Sequence, residues 1–217
     1  MERKIKFSPE EYYHIYNRGV EKRKVFLDHK DYDRFLELLY LCNGIKPIVI
    51  RDISRKDRFL LDVGEKLVSI GAYVLMPNHF HLLARQNDDE NGVTEFLRKV
   101  TTGYTMYFNK KYERVGPLFQ GVFKAEHVDS DEYLKYLYSY LHLNPAKIVD
   151  SKWRENIDKK RRNDLLDFVK NYPYSSYGDY LSEKRSQQVI LSKADFPDYF
   201  ETELDLVKSL TDWIADE

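Results

Sequence analysis

Tyr12 to Asn17 is a β-rich, largely apolar and aromatic run that ends at Arg18-Gly19 and predicts a first strand. A helical period follows. Tyr32, Phe35, Leu36, Leu39 and Tyr40 recur at i, i+3, i+4, i+7 and i+8, the stripe of an amphipathic helix, and Asn43-Gly44 closes it. Residues 46–64 are less regular and read as a strand or an insertion. Leu67 to Met76 is apolar on both faces, as a central strand is, and Pro77-Asn78 turns it into a partner strand from His79 to Arg85.

Leu97, Val100, Tyr104 and Phe108 mark a second helix, and Leu118 to Val128 alternates as a further strand. Asp129 and Glu132 stand at capping-box spacing before a third helix carrying Leu134, Leu137 and Leu141. Pro145 is expected to stop that helix and to disfavour helical backbone at Asn144. Adjacent strands on a tight turn, with helices between the others, predict an α+β fold on an antiparallel sheet. The ferredoxin-like arrangement, with helices on one face, is the nearest match.

Candidate chemistry begins at His79-Phe80-His81. Residues i and i+2 of a strand share a face, so both imidazoles project together while Phe80, Leu82 and Ala84 point the other way. Two such imidazoles can share a metal ion, or they can be an ordinary packed pair. In the next strand Gln120, Val122, Lys124 and Glu126 form a polar face opposite Phe119, Gly121, Phe123 and Ala125. From Arg98 to Lys124 there are six bases (Lys99, Lys110, Lys111 and Arg114 among them) and one acid, a density that suits phosphate contact or an ordinary solvated helix face. On the third helix Tyr140 and Asn144 are spaced i, i+4 and meet on one face. There a phenol could attack a phosphodiester while an amide completes a metal's ligands. Tyr133, Tyr136 and Tyr140 also have the spacing of a simple packing stripe.

Composition narrows the classes. The chain has 217 residues, 42% hydrophobic and 33% charged, which fits one globular domain with an appendage. The longest apolar run, Ile70 to Met76, is far short of the roughly 20 residues of a membrane helix. Met1 to Phe7 is mostly charged, so no signal peptide is expected. A single cysteine, Cys42, excludes an internal disulfide framework and fits a cytoplasmic protein. The net charge of −1 is uneven: residues 195–217 hold eight acids and one lysine, leaving +6 over residues 1–194. That asymmetry points to a polyanion-binding body with an acidic end.

Five segments carry a family resemblance: Tyr13 to Gly19 (YHIYNRG), Tyr73 to Leu83 (YVLMPNHFHLL), Gly116 to Lys124 (GPLFQGVFK), Tyr140 to Pro145 (YLHLNP) and Tyr172 to Leu181 (YPYSSYGDYL). Together, in this order, they resemble the HUH single-tyrosine transposases, and more closely the REP-associated tyrosine transposase branch. The resemblance spans roughly residues 12–181. It implies an HUH nuclease domain, placed over residues 1–150; the charges of the remainder, basic from Lys152 and acidic after Asp195, predict a helical C-terminal extension, 151–217, with an acidic end. The resemblance also implies a metal-dependent transposase or endonuclease that cleaves and rejoins single-stranded, hairpin-forming DNA through a covalent 5′-phosphotyrosine. By position, Tyr140 matches the nucleophile, His79 and His81 the paired metal ligands, and Asn144 the third ligand, where the family often has Gln. Mg²⁺ or Mn²⁺ is the implied cofactor. Arg18, Gln120, Lys124 and the basic segment of Lys99, Lys110, Lys111 and Arg114 are the candidates for holding DNA, by a monomer or a homodimer. His142 is expected to be structural.

Two other classes are compatible with the residues alone. One is a catalytically silent DNA- or RNA-binding relative. The other is a His-x-His metal-dependent hydrolase, for which His14 and Glu126 are the further ligand candidates.

Overall fold

The computed structural model describes residues 5–87, 91–153, 159–181 and 184–200, together with 205, 208 and 210. Strand β1 (Tyr12–Arg18) leads to helix α1 (His29–Leu41), then to the hairpin of β2 (Val68–Met76) and β3 (His79–Gln86). Helix α2 (Gly92–Lys111), strand β4 (Lys124–Val128) and helix α3 (Asp131–Leu143) follow. Three shorter or C-terminal helices complete the described α-helices: α4 (Ala146–Val149), α5 (Lys159–Lys170) and α6 (Tyr177–Tyr180). The four strands form one antiparallel sheet in the order β2-β3-β1-β4. The α+β class read from the pattern is therefore the observed one.

Each element follows from local chemistry. The Asp28 carboxylate accepts from the Asp31 N–H while Asp31 accepts from the Asp28 N–H, a reciprocal cap that starts α1. Its apolar stripe, with Phe35, Leu36 and Leu39, is buried with Phe96, Leu97, Val100 and Tyr104 of α2 against Phe80, Leu82 and Ala84 of β3. At α3 the cap is Ser130, whose hydroxyl accepts from the Tyr133 N–H, one residue later than the Asp129 spacing predicts. Between Ile70 and Ala72 the β2–β3 register shifts. Gly71 lies in that shift, where the Phe196 ring packs so close that a Cβ would meet it at 2.7 Å.

Helices are not confined to one face. Leu134, Leu137, Tyr138 and Leu141 of α3 pack on Ala72, Val74, Met76 and Leu83, the opposite side of the sheet from α1 and α2. The reason lies in β2, whose alternate residues are apolar on both sides and leave a second surface to cover. Residues 46–64 are an insertion of two short 3-10 turns, Ile50–Asp52 and Arg55–Leu60, rather than a strand. The predicted strand from Leu118 is realised only from Lys124. Gly121, at φ 71°, turns the chain through the left-handed region that breaks extended alternation.

Pro145 does not end the helical path. Asn144 (φ −52°, ψ −39°) and Pro145 (φ −57°, ψ −25°) both have helical backbone, and α4 continues from them. Pro145 lacks only the N–H that would have carried the next bond, so the hydrogen-bond ladder is interrupted while the dihedrals are not. Past α5, residues 172–181 run against β2: Leu75 N–H donates to Tyr174 O at 2.9 Å and Ser176 N–H to Tyr73 O at 3.0 Å. Most of the acidic end from residue 201 onward lies outside the described residues. Leu210 is buried with Leu143, Trp153, Leu165 and Val169. Among the described residues no helix is long and apolar enough to cross a membrane.

Candidate active site

Strand register assembles one wall of the site. Tyr16 lies opposite His81 and Arg18 opposite His79, while His14 pairs with Glu126 and Tyr16 with Lys124 on the other flank of β1. Their side chains share the sheet face that α3 covers in part. The other wall is α3 and its continuation. The result is a cleft of about 330 Å³ lined by Tyr16, Asn17, Arg18, His79, His81, Gln120, Lys124, Tyr140, Asn144 and Lys147.

Both cleft histidines have one ring nitrogen engaged. His79 Nδ1 donates to Asn78 Oδ1 at 2.6 Å, and the Asn78 amide nitrogen is itself turned to Lys22 O, 3.1 Å away. His81 Nδ1 is 2.9 Å from His14 Nε2. In each ring Nε2 is the nitrogen left for a ligand. Burial, reinforced by the Arg18 and Lys147 charges, lowers the His79 pKa to about 4. Burial, with the neighbouring His79, His14 and Lys147, holds His81 well below the ordinary imidazole value. Both rings are therefore neutral near pH 7, the form in which imidazole binds a metal.

Tyr140 sits over His81 and His14. Its ring centroid is 5.7 Å from that of His81 and 5.8 Å from that of His14, both edge-on. Lys147 Nζ lies 5.1 Å from the Tyr140 ring centre and donates to Asn144 Oδ1 at 3.3 Å. Asn144 is buried, and its amide nitrogen donates to Tyr140 O at 3.0 Å, one helical turn back. One carbonyl lone pair of Asn144 is left over. The other tyrosines of α3 differ in setting. The Tyr133 hydroxyl donates to Glu126, and burial with that carboxylate raises its pKa to about 12. Tyr138 is buried in the core and its pKa rises further for that reason.

Two neutral imidazoles and an amide oxygen make a donor set that fits a divalent cation only in part. Among the described residues no group of three or more His, Cys, Asp or Glu converges to hold one. A hard cation such as Mg²⁺ prefers oxygen, so phosphate and water must supply its remaining ligands. The hydrolase alternative loses its extra donors. His14 is engaged with His81, and the Glu126 carboxylate accepts from both the Tyr16 and Tyr133 hydroxyls.

Seven of the candidate residues thus meet in one cleft: Arg18, His79, His81, Gln120, Lys124, Tyr140 and Asn144. Lys99, Lys110, Lys111 and Arg114 do not. Lys99 pairs with Glu95 and donates to Gly44 O, and Lys111 pairs with Asp28 and the fully buried Asp31. Arg114 holds Asn109, and exposed Lys110 ends a helix that packs on the far face of the sheet. His142 is wholly buried between Tyr138, Tyr177 and Tyr180, with Nε2 2.9 Å from Ser176 Oγ. Three cleft residues escaped the sequence reading. Tyr16 lies at i+2 between His14 and Arg18 on one strand face and so had a spacing signal; Lys147, at i+7 from Tyr140, was hidden by the expectation that Pro145 ends the helix. Asn17 had none, because its amide enters by turning back to Gly121 O.

The comparisons with known proteins bear on the fold. The chain is similar to a solved structure described as a REP-associated tyrosine transposase bound to a REP hairpin. The TM-score is 0.54 at 13% identity, over 84% of this chain and 86% of that one. What the two share is the fold. No family model matches the sequence, and no curated protein matches it.

Proposed function

We propose that this protein is a single-stranded DNA endonuclease and strand transferase of the HUH tyrosine type, with Tyr140 as its nucleophile. The observation that carries the reading is the convergence, in one cleft, of a phenol, two neutral imidazoles, a buried amide and the cationic side chains of Arg18, Lys124 and Lys147. Four chain segments far apart in sequence contribute these groups. The solved transposase of similar fold holds a REP hairpin, and a hairpin-forming single strand is the substrate class proposed here.

The roles follow from chemistry. Arg18, Lys124 and Lys147 would attract and orient the phosphate, with Gln120 adding a neutral hydrogen bond. The Tyr140 phenolic oxygen bonds to phosphorus as the bond from phosphorus to the departing 3′ oxygen breaks. The phenol gives up its proton, the 3′ oxygen gains one, and a 5′-phosphotyrosine with a free 3′-OH results. Rejoining is the reverse displacement by a 3′-OH, so no outside energy source is needed. A Mg²⁺ or Mn²⁺ ion held by His79, His81 and Asn144 Oδ1 would supply Lewis-acid polarisation of the scissile phosphate.

The test is incubation with a hairpin-forming single strand and Mn²⁺, then denaturing electrophoresis and peptide mapping. A covalent adduct at Tyr140 is expected, lost in Tyr140→Phe while DNA binding persists. An adduct that survives in that variant, or that maps to Tyr136, overturns the assignment.

A further inference from the structure

The hydrogen bond that fixes His79 has an unambiguous direction, because the Asn78 oxygen can only accept. The bond that fixes His81 does not. Its partner is another imidazole, and either ring could be the donor. If His14 Nε2 carried the proton, His81 Nδ1 would accept, and the proton of neutral His81 would sit on Nε2. That nitrogen could then donate a hydrogen bond but not bind a cation. Which way the pair is set decides whether His81 is a ligand at all.

What sets it lies on β4. The Glu126 carboxylate approaches the other nitrogen of His14, with Oε2 3.8 Å from Nδ1, just beyond hydrogen-bond range but close for a charge. The carboxylate is itself held in place. The Tyr16 hydroxyl donates to its Oε1 at 2.8 Å and the Tyr133 hydroxyl to its Oε2 at 3.2 Å. A negative charge there favours the His14 proton on Nδ1. His14 Nε2 is then the acceptor, His81 Nδ1 the donor, and His81 Nε2 the free lone pair. His14 and His81 lie nearly parallel, 5.1 Å between centroids and 19° between planes, and both are buried.

We propose that His14 is a positioning residue, oriented by Glu126, that holds His81 in the tautomer able to bind a divalent cation. The inference rests on the reading of His81 as a ligand, and it assigns His14 no contact with substrate or metal. It accounts for a buried histidine that the proposed reaction leaves without a task. It also explains why Glu126, half exposed on an edge strand, is clasped by two phenols. Partners behind a ligating histidine change metal affinity by about 10–100-fold.

The experiment has two arms, on wild-type protein, His14→Leu, His14→Gln and Glu126→Gln. Nitrogen-15 NMR of the imidazoles in the metal-free proteins reads the His81 tautomer directly. Mn²⁺ titration followed by electron paramagnetic resonance reads affinity. The expected wild-type state is His81 protonated on Nδ1. His14→Leu should shift the proton toward Nε2 and weaken Mn²⁺ binding about tenfold or more. His14→Gln, whose amide oxygen can accept, should restore much of both. Glu126→Gln, a surface change that keeps the fold even if His14→Leu does not, should give a mixture of tautomers. Wild-type His81 protonated on Nε2, or a His14→Leu protein with unchanged tautomer and Mn²⁺ affinity within twofold, overturns the proposal. The expected tautomers in a protein that neither binds Mn²⁺ nor forms the Tyr140 adduct would support the relay and sink the nuclease reading, so the two failures are separable.

Discussion

Lys111 and Arg18 show how one kind of charge serves two purposes. Arg18 is exposed at the end of β1 and lines the cleft. Lys111 instead reaches back to α1, with Nζ 2.7 Å from an oxygen of Asp28 and 2.7 Å from one of Asp31. Asp31 is fully buried and also accepts from the Tyr107 and Tyr112 hydroxyls. Removing the ammonium leaves a buried carboxylate with only neutral donors. Lys111→Ala is therefore expected to destabilise the protein by about 3 kcal/mol, the low end for breaking a buried ion pair, because the phenols remain. Urea unfolding monitored by circular dichroism measures it. A loss under about 0.5 kcal/mol, as for exposed pairs, would return Lys111 to the pool of surface cations.

Among the elements, β2 has the least obvious protection. It stands at one end of the strand order, and all nine of its residues are buried. An apolar edge strand invites pairing with other chains. Residues 172–181 cover it: beside their two backbone bonds, Tyr172 OH donates to Leu75 O and Tyr180 OH to Gly71 O, each at 2.7 Å. Ser176 Oγ is central, accepting from the Tyr73 N–H at 3.0 Å and meeting His142 of α3. Ser176→Ala leaves buried groups unsatisfied and is expected to cost about 1–3 kcal/mol. A chemical-denaturation midpoint equal to the wild type's would refute this. The sequence made the strands and helices legible because apolar period and caps are local. It concealed this strap, since the backbone bonds of Tyr174 and Ser176 to β2 are formed some 100 residues apart and leave no periodic trace. The same limit separated the site residues. His79, His81 and Tyr140 were candidates by type and spacing and were singled out by the motif resemblance, whereas His14 needed its partner across β1 and β3 to acquire a meaning.

For the molecule as a whole, the sheet is a partition. On one side α1 and α2 bury the aromatic core, with Lys99, Lys110 and Lys111 on α2 and Arg114 just after it; on the other α3 leaves the cleft with Arg18, Lys124 and Lys147. A phosphate in the cleft feels the second group. Arg18→Ala should weaken single-strand binding and reduce the slope of log K against log salt by about 1, while Lys110→Ala should leave both near the wild-type values. Fluorescence anisotropy across a salt series decides, and equal losses from both variants would mean that DNA wraps around the sheet. The unbroken helical path through Asn144 and Pro145 has a consequence for how this region can change. Tyr140, Asn144 and Lys147 sit at i, i+4 and i+7 on one rod, so their shared orientation is a matter of phase. Adding or deleting a single residue between Tyr140 and Lys147 turns everything beyond it by about 100°. A substitution in the segment alters one side chain and leaves the phase of the others, whereas a change in its length would swing the lysine out of the cleft.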